Sequence, residues 1–233
     1  MFLLAPPPDS RIRRILQSQE HAPFTHPEVG STAAGTAPRG YILNHQRCEL
    51  GTGAATFERA KAAVRQWRMF DLGWVRVFWP DAPIQPDAMV AVLARVAGWW
   101  SLNVCRIVYM VDEKRRYGFA YGTLPEHAEA GEERFIVEWL DDDSVWYDIL
   151  AFSRERHPLA PGLSRCAAFA GELPPGFRSG HGASGAGTIG RALFRPQWWF
   201  STTHLDANAI KTQKLALECN VLARRGKPLS RRR

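Results

Sequence analysis

The chain has 233 residues, of which 45% are hydrophobic and 23% are charged, a composition typical of a globular protein rather than a disordered or fibrous one. The sequence has no uncharged apolar stretch of about 18 residues, the length that a membrane-spanning helix requires. The apolar residues at the start precede the basic ones, which is the reverse of a secretory signal. We therefore expect a cytoplasmic protein without a membrane span.

The net charge of +7 is concentrated at one end of the chain. Residues 161–233 contain 12 Lys/Arg against 3 Asp/Glu, whereas residues 51–160 contain 13 against 16. A nucleic-acid-binding domain carries its basic residues on the folded surface. We therefore expect no nucleic-acid partner, despite the basic tail.

The cysteines and the glycine-rich stretches do not indicate a metal or a cofactor. The four cysteines stand far apart with no CxxC pair, which is typical of neither a zinc site nor a disulfide scaffold, and we expect isolated, apolar thiols. GAGTIG (185–190) does not stand between a strand and a helix as a dinucleotide-binding loop does. GTGAAT (51–56) precedes a predicted helix, but it lacks the third Gly and a surrounding apolar βαβ unit. We expect no metal and no cofactor.

In chain order, residues 1–23 are rich in Pro and Arg without a sustained period, which predicts a loose leader. Residues 24–41 are rich in turn formers, and residues 41–50 predict a short strand. The clearest helix is predicted over residues 56–68. Apolar residues recur there at intervals of three and four and share one face: Phe57, Ala60, Val64 and Trp67.

Beyond the helix the hydrophobic period changes to two, and the connections become short and polar. This pattern predicts an antiparallel meander over residues 72–153. Its segments are 72–79, 88–96, 102–111, 115–124, 132–140 and 144–153. Strict alternation places Asn103 and Tyr109 on one face of their strand and Arg106 on the other.

Several segments together resemble a known family of bacterial and plant proteins: FTHPEVGST, GYILNHQRCELGTGAATFERAK, YGFAYGTLPEHAEAGEERFIVEW and DDSVWYDILAFSRERHPLA. They are similar to the domain-of-unknown-function family numbered nineteen-ninety, and the resemblance covers about residues 24–160. It implies an α+β helix-grip fold like that of START and birch-pollen-allergen-like proteins. In that fold a curved antiparallel sheet wraps a C-terminal helix and encloses an apolar cavity. The family supplies no catalytic residues to carry over.

Residues 161–233 depart from this resemblance, which implies a C-terminal helix after residue 160. The tail is rich in Gly, Pro and Arg and has no sustained helical period. A back-translation shifted by one nucleotide can produce a more family-like ending. We therefore expect a disordered or out-of-frame tail and a lost or degraded last helix.

The resemblance and the sheet pattern lead to three functional hypotheses. The first is binding of a small apolar or lipid-like ligand in a cavity. The second is a cyclase- or hydrolase-type enzyme that uses polar cavity residues, and the third is a pairing module in a larger assembly. If the last helix is lost, the alternative is a non-functional truncated-and-extended variant. Arg106 needs a partner if it points inward, and Asp148 is suitable by type. The candidate ligand-binding residues are Trp67, Trp100, Asn103, Arg106, Tyr109, Tyr121, Trp146 and Asp148.

Overall fold

The structure is a computed structural model that describes residues 2–79, 82–96, 98–156 and 218–223. Its helices and strands are β1 (Phe2–Leu3), α1 (Asp9–Ser18), β2 (Ile42–Thr52), α2 (Ala54–Arg65), β3 (Val75–Phe78), β4 (Met89–Val96), β5 (Trp99–Asp112), β6 (Arg116–Thr123), β7 (Glu129–Trp139) and β8 (Ser144–Glu155). Two short 3-10 helices cover Ser31–Ala34 and Arg68–Phe70. Residues 218–223, here called the C-terminal segment, are also helical.

Seven strands form one open antiparallel sheet in the order β2-β8-β7-β6-β5-β4-β3, and β1 pairs with the start of β5. Strands β3 to β8 follow one another as the meander predicted from residues 72–153. The predicted α+β class, with a curved, helix-grip-like antiparallel sheet and an early helix, is confirmed. Within the described ranges, every helix is too short or too polar to cross a membrane.

One face of the sheet, here called the inner face, is covered by α2. Phe57, Ala60 and Val64 point from α2 towards the sheet and are buried, as the helical period predicted. They join a core that contains aromatic and aliphatic side chains from alternate positions of the strands, including Val92, Ile107, Phe119, Phe135 and Tyr147. Alternation along each strand therefore separates this core from the opposite face.

The opposite face, here called the outer face, is covered by α1 and by the loop of residues 24–41. Ile12 and Leu16 of α1 are buried in a second core with Leu102 and Val104 of β5. The prediction of a loose leader over residues 1–23 is therefore wrong for α1. Ile12 and Leu16 stand four residues apart and share one helix face, a short pattern that the surrounding Pro and Arg residues obscure.

An irregularity in β5 changes which face its later residues occupy. The pairing of β5 with β6 shifts between Ile107 and Tyr109, so alternation is interrupted there. As a result, Tyr109 lies on the outer face together with Arg106, and the predicted opposition of these two residues is wrong. Strict alternation fails because a bulge adds one residue to one strand only.

The C-terminal segment packs on the inner face. Leu222 is only 3% exposed and belongs to the inner core, and Cys219 forms a disulfide with Cys48 of β2. The prediction of isolated thiols is wrong for this pair, and these six tail residues are ordered as a helix rather than disordered. The rest of the tail prediction concerns residues 157–217 and 224–233, which lie outside the described residues.

The packing of α1 gives a stability prediction. We expect Ile12→Ala to lower the free energy of unfolding by about 2–5 kcal/mol, because it removes a fully buried side chain. Gln17→Ala on the exposed side of the same helix should change it by less than about 0.5 kcal/mol. Urea unfolding of both variants measures the difference, and equal midpoints would show that α1 does not pack on the sheet.

Candidate functional site

A cavity of about 130 Å³ lies between the end of α2 and strand β3. Its volume is close to that of an engineered apolar cavity of about 150 Å³ that binds benzene. The residues that line it are Gln66, Trp67, Phe70, Asp71, Val75, Arg76 and Val77. Apolar side chains from the inner core form one wall, and polar residues lie beside them.

Trp67 and Phe70 are held in place by the turn that ends α2. Trp67 has a left-handed backbone (φ 57°) that redirects the chain from α2 into the second 3-10 helix. Its indole Nε1 donates to the carbonyl oxygen of Ala82 at 3.2 Å, and its ring lies 4.9 Å from the ring of Phe119. The Phe70 ring lies 5.8 Å from that of Phe135. These ring contacts fix the aromatic wall of the cavity.

Two tyrosine–glutamate pairs lie in the inner core. The Tyr121 hydroxyl donates to Glu133 Oε2 at 2.7 Å, and the Tyr147 hydroxyl donates to Glu218 Oε2 at 3.1 Å. Burial raises the pKa of both tyrosines well above the usual value, and the negative charges of Glu133 and Glu218 raise it further. Both phenols therefore remain hydrogen-bond donors at neutral pH.

The eight predicted ligand-binding residues do not form one site. The inner face has Trp67, Asn103 and Tyr121, and the outer face has Trp100, Arg106, Tyr109, Trp146 and Asp148. Among these eight, Trp67 alone lines the cavity between α2 and β3. Asn103 accepts a hydrogen bond from Ser101, and Trp146 packs under the Arg47 guanidinium, whose centre lies 5.2 Å from the ring.

Arg106 supports α1 rather than the cavity. Its guanidinium donates to the carbonyl oxygens of Gln19, at 2.9 Å, and of Glu20, just beyond the end of the helix. It also lies over the Phe24 ring, 5.4 Å from the ring centre. A cation is favourable at a helix C-terminus because the unpaired carbonyls give that end a partial negative charge. The expected pairing of Arg106 with Asp148 is therefore wrong.

Asp148 is the centre of a different ion cluster on the outer face. Its carboxylate is buried and accepts hydrogen bonds from Arg134 Nη2 and His45 Nε2, both at 2.7 Å, and Arg47 Nε lies 3.1 Å away. Arg134 also donates to the Thr32 carbonyl oxygen at 2.9 Å. The cluster links β2, β7 and β8 to the 24–41 loop, so it stabilises the cover of the outer face.

Glu132 anchors the same loop from β7. Its buried carboxylate accepts from the backbone N–H groups of Gly30, at 2.7 Å, and Thr32, at 3.2 Å, and from the Thr32 hydroxyl. His26 Nε2 lies 3.4 Å from it. Burial alone would raise the pKa of Glu132, but His26, Thr32 and the backbone donors outweigh burial and hold that pKa below its usual value.

Tyr109 extends this network towards the surface. Its hydroxyl is 2.8 Å from the Thr32 hydroxyl, and Tyr109 is half-buried. Burial raises the pKa of Tyr109, although the hydrogen bond with Thr32 opposes that increase. Among the residues that the structure describes, no group of three or more His, Cys, Asp or Glu side chains is arranged to hold a metal ion.

Sequence reasoning missed most of the cavity and both anchors of the 24–41 loop. Residues 66–77 join a predicted helix to a predicted strand, and only the conformation at Trp67 brings them around one space. Glu132 was visible only as the first of three consecutive charged residues, Glu132, Glu133 and Arg134, that precede the apolar part of β7. Such a residue needs a partner when the strand is covered on both faces, which was an available signal.

The depressed pKa of Glu132 gives a pH prediction. A lowered folded-state pKa stabilises the protein above the ordinary carboxyl pKa, and this stabilisation is lost as the pH falls through the folded-state pKa. We expect Glu132→Gln to lower the free energy of unfolding at pH 7 by about 1–3 kcal/mol. The difference from wild type should shrink as the pH falls below 4.5.

Urea unfolding at several pH values between about 3 and 7 tests this expectation across the range where carboxyl groups titrate. The exposed Glu113, which pairs with Arg116 at 3.5 Å, provides a matched control in Glu113→Gln. A constant difference between wild type and Glu132→Gln at every pH would contradict the assignment of the pH dependence to Glu132.

Three solved structures are similar to this chain at low sequence identity. The hypothetical protein jhp0584 from Helicobacter pylori is 12% identical, with a TM-score of 0.38 over 57% of this chain and 76% of that one. Ara h 8.0201 is also 12% identical, with a TM-score of 0.38 over 54% of this chain and 87% of that one. DR_A0006 from Deinococcus radiodurans is 10% identical, with a TM-score of 0.32 over 55% of this chain and 93% of that one.

Sequence comparison gives a stronger relationship. A protein from Deinococcus radiodurans named UPF0548 protein is 39% identical over 172 residues, which cover 69% of this chain and 86% of that one. A protein of the same name from Dictyostelium discoideum is 31% identical over 181 residues, which cover 69% of this chain and 84% of that one. The family model described as Domain of unknown function (DUF1990) matches residues 25–184, beyond the expected boundary at residue 160. The chain therefore belongs to the uncharacterised DUF1990 family, to which the resemblance of residues 24–160 pointed.

Proposed function

We propose that this protein binds a small apolar molecule in the cavity between α2 and β3. The observation that carries the proposal is the space of about 130 Å³ walled by Trp67, Phe70 and Val77, whose side chains belong to the inner core. Ligand sites are typically concave and mainly apolar, with a few polar groups nearby. Gln66 and Asp71 supply such groups here.

The volume of the cavity limits the size of the molecule that it can bind. A volume near that of a benzene-binding cavity accommodates one small ring or a short branched hydrocarbon. The ring contacts of Trp67 and Phe70 with Phe119 and Phe135 fill the space deeper in the inner core. A lipid-like ligand with a long chain therefore requires these rings, or the cover of the inner face, to move.

Binding is better supported than catalysis. The enzyme hypothesis required polar residues such as Arg106, Tyr109 and Asp148 inside the cavity, and all three lie on the outer face. Their contacts hold α1 and the 24–41 loop against the sheet. In the inner core, the hydroxyl groups of Tyr121 and Tyr147 already donate to Glu133 and Glu218, and neither residue lines the cavity.

Titration with toluene tests the proposal. We expect saturable binding to the wild-type protein, observed by isothermal titration calorimetry and by ligand-observed NMR. Val75→Phe should abolish binding because the larger side chain fills the cavity. Val111→Phe, at a half-buried position of β5 that does not line the cavity, is the matched control and should bind toluene like wild type.

A second variant distinguishes loss of binding through a filled cavity from loss of binding through a disturbed fold. Phe70→Leu removes part of one wall and should increase the affinity for naphthalene relative to toluene, because two fused rings need more space. Near-UV circular dichroism of each variant reports whether the aromatic core is intact. Absence of saturable toluene binding to the folded wild-type protein would refute the proposal.

A further inference from the structure

We propose that the inner face has a binding site for a molecule with a carboxylate and an apolar body, and that the C-terminal segment occupies this site. The Cys48–Cys219 disulfide, here called the latch, keeps the segment in the site. The inference goes beyond the proposed function, since it concerns a second site on the inner face and names the chemical class of its ligand. It also gives the protein a means of uncovering the inner core.

The carboxylate part of the inference comes from Tyr147 and Glu218. Both residues are fully buried, and the Tyr147 hydroxyl donates to the Glu218 carboxylate at 3.1 Å. If the segment leaves, the Tyr147 hydroxyl stays on the inner face and loses this acceptor. An ionised carboxylate accepts a stronger hydrogen bond than water or an alcohol does, so a ligand that brings a carboxylate to the same position is favoured.

The apolar part comes from Leu222. It is four residues after Glu218, so the two side chains lie on the same side of a helix. Leu222 is 3% exposed and joins the inner core with Phe57 and Val145. The segment therefore inserts a carboxylate and a branched hydrocarbon side chain together, which is the combination that a short fatty acid presents.

The disulfide fixes the segment covalently to the sheet. Burial of Glu218 opposes docking because its carboxylate loses water. The Cys48–Cys219 bond joins the segment to β2 across 171 residues of sequence. The described contacts that remain without that bond include those of Leu222 with the inner core and of Glu218 with Tyr147.

Opening the latch is a thiol–disulfide exchange with a dithiol reductant. One reductant thiolate attacks a sulfur of the Cys48–Cys219 bond, that bond breaks, and a mixed disulfide forms. The second reductant thiolate then releases the protein sulfur. The products are two protein thiols and one oxidised reductant, so two electrons pass from the reductant to the protein disulfide.

The experiment compares octanoate, 1-octanol and octylamine as ligands of the full chain, before and after treatment with dithiothreitol. We expect octanoate to bind the reduced protein at least tenfold more tightly than the oxidised protein, and more tightly than the other two probes. Cys219→Ser should bind octanoate without reductant. Cys166→Ser is the control and should respond to dithiothreitol like wild type. Calorimetry supplies the affinities.

Tyr147→Phe tests the carboxylate contact. In the reduced protein it should remove the preference for octanoate over 1-octanol, because the hydroxyl donor is lost. If this variant does not fold, alkylation of Cys105 gives a second measurement on the wild-type protein. The Cys105 thiol is buried in the inner core, which Leu222 of the segment also joins. We expect reduction to speed its alkylation at least tenfold, as measured by peptide mass spectrometry.

Three results would overturn the inference. One is equal octanoate affinity before and after reduction, the second is unchanged octanoate preference in folded Tyr147→Phe, and the third is an absence of the Cys48–Cys219 link in non-reducing peptide maps. Toluene binding in the cavity between α2 and β3 does not depend on the latch. Retained toluene binding with any of these results would therefore refute this inference and leave the proposed function standing.

Discussion

Burial of both faces of one antiparallel sheet is the constraint on which the rest of this structure depends. The inner face is covered by α2 and the C-terminal segment, and the outer face by α1 and the 24–41 loop. On the outer face, the 24–41 loop packs directly against the backbone of a strand. A Cβ at Gly122 would lie 2.7 Å from both His26 and Phe24, so only glycine lets the loop pack this closely. Each cover therefore has its own requirements for shape and for polar partners.

Those requirements explain why charged residues lie under the outer cover. Burial of a carboxylate costs free energy unless the surroundings supply charges or hydrogen-bond donors. Asp148 accepts hydrogen bonds from Arg134 and His45, and Glu132 accepts them from the backbone of the 24–41 loop. Each carboxylate therefore fixes one part of the cover to the sheet. The same contacts occupy their hydrogen-bonding capacity. Charged residues that suggested a ligand site from the sequence therefore serve the fold.

The meander and α2 could be predicted from the sequence because their periods persist over many residues and their connections are short. The position of Tyr109 could not, since a single extra residue in β5 reverses alternation beyond it. Helix α1 was missed because its apolar face consists of few residues among Pro and Arg. The cavity depends on the left-handed turn at Trp67, and the Cys48–Cys219 pairing joins residues 171 apart, so neither leaves a local pattern in the sequence.

The disulfide makes the attachment of the C-terminal segment depend on redox conditions, as the contacts of the outer cover do not. In the chain-entropy model, a cross-link that closes a loop of this length stabilises the folded state by about 5 kcal/mol relative to an uncross-linked chain. Oxidising compartments preserve such bonds, whereas reducing ones make them transient. The outer cover is held by hydrogen bonds and ion pairs that do not respond to reductants. Reduction therefore weakens the attachment of the C-terminal segment selectively and leaves the sheet with its outer cover in place.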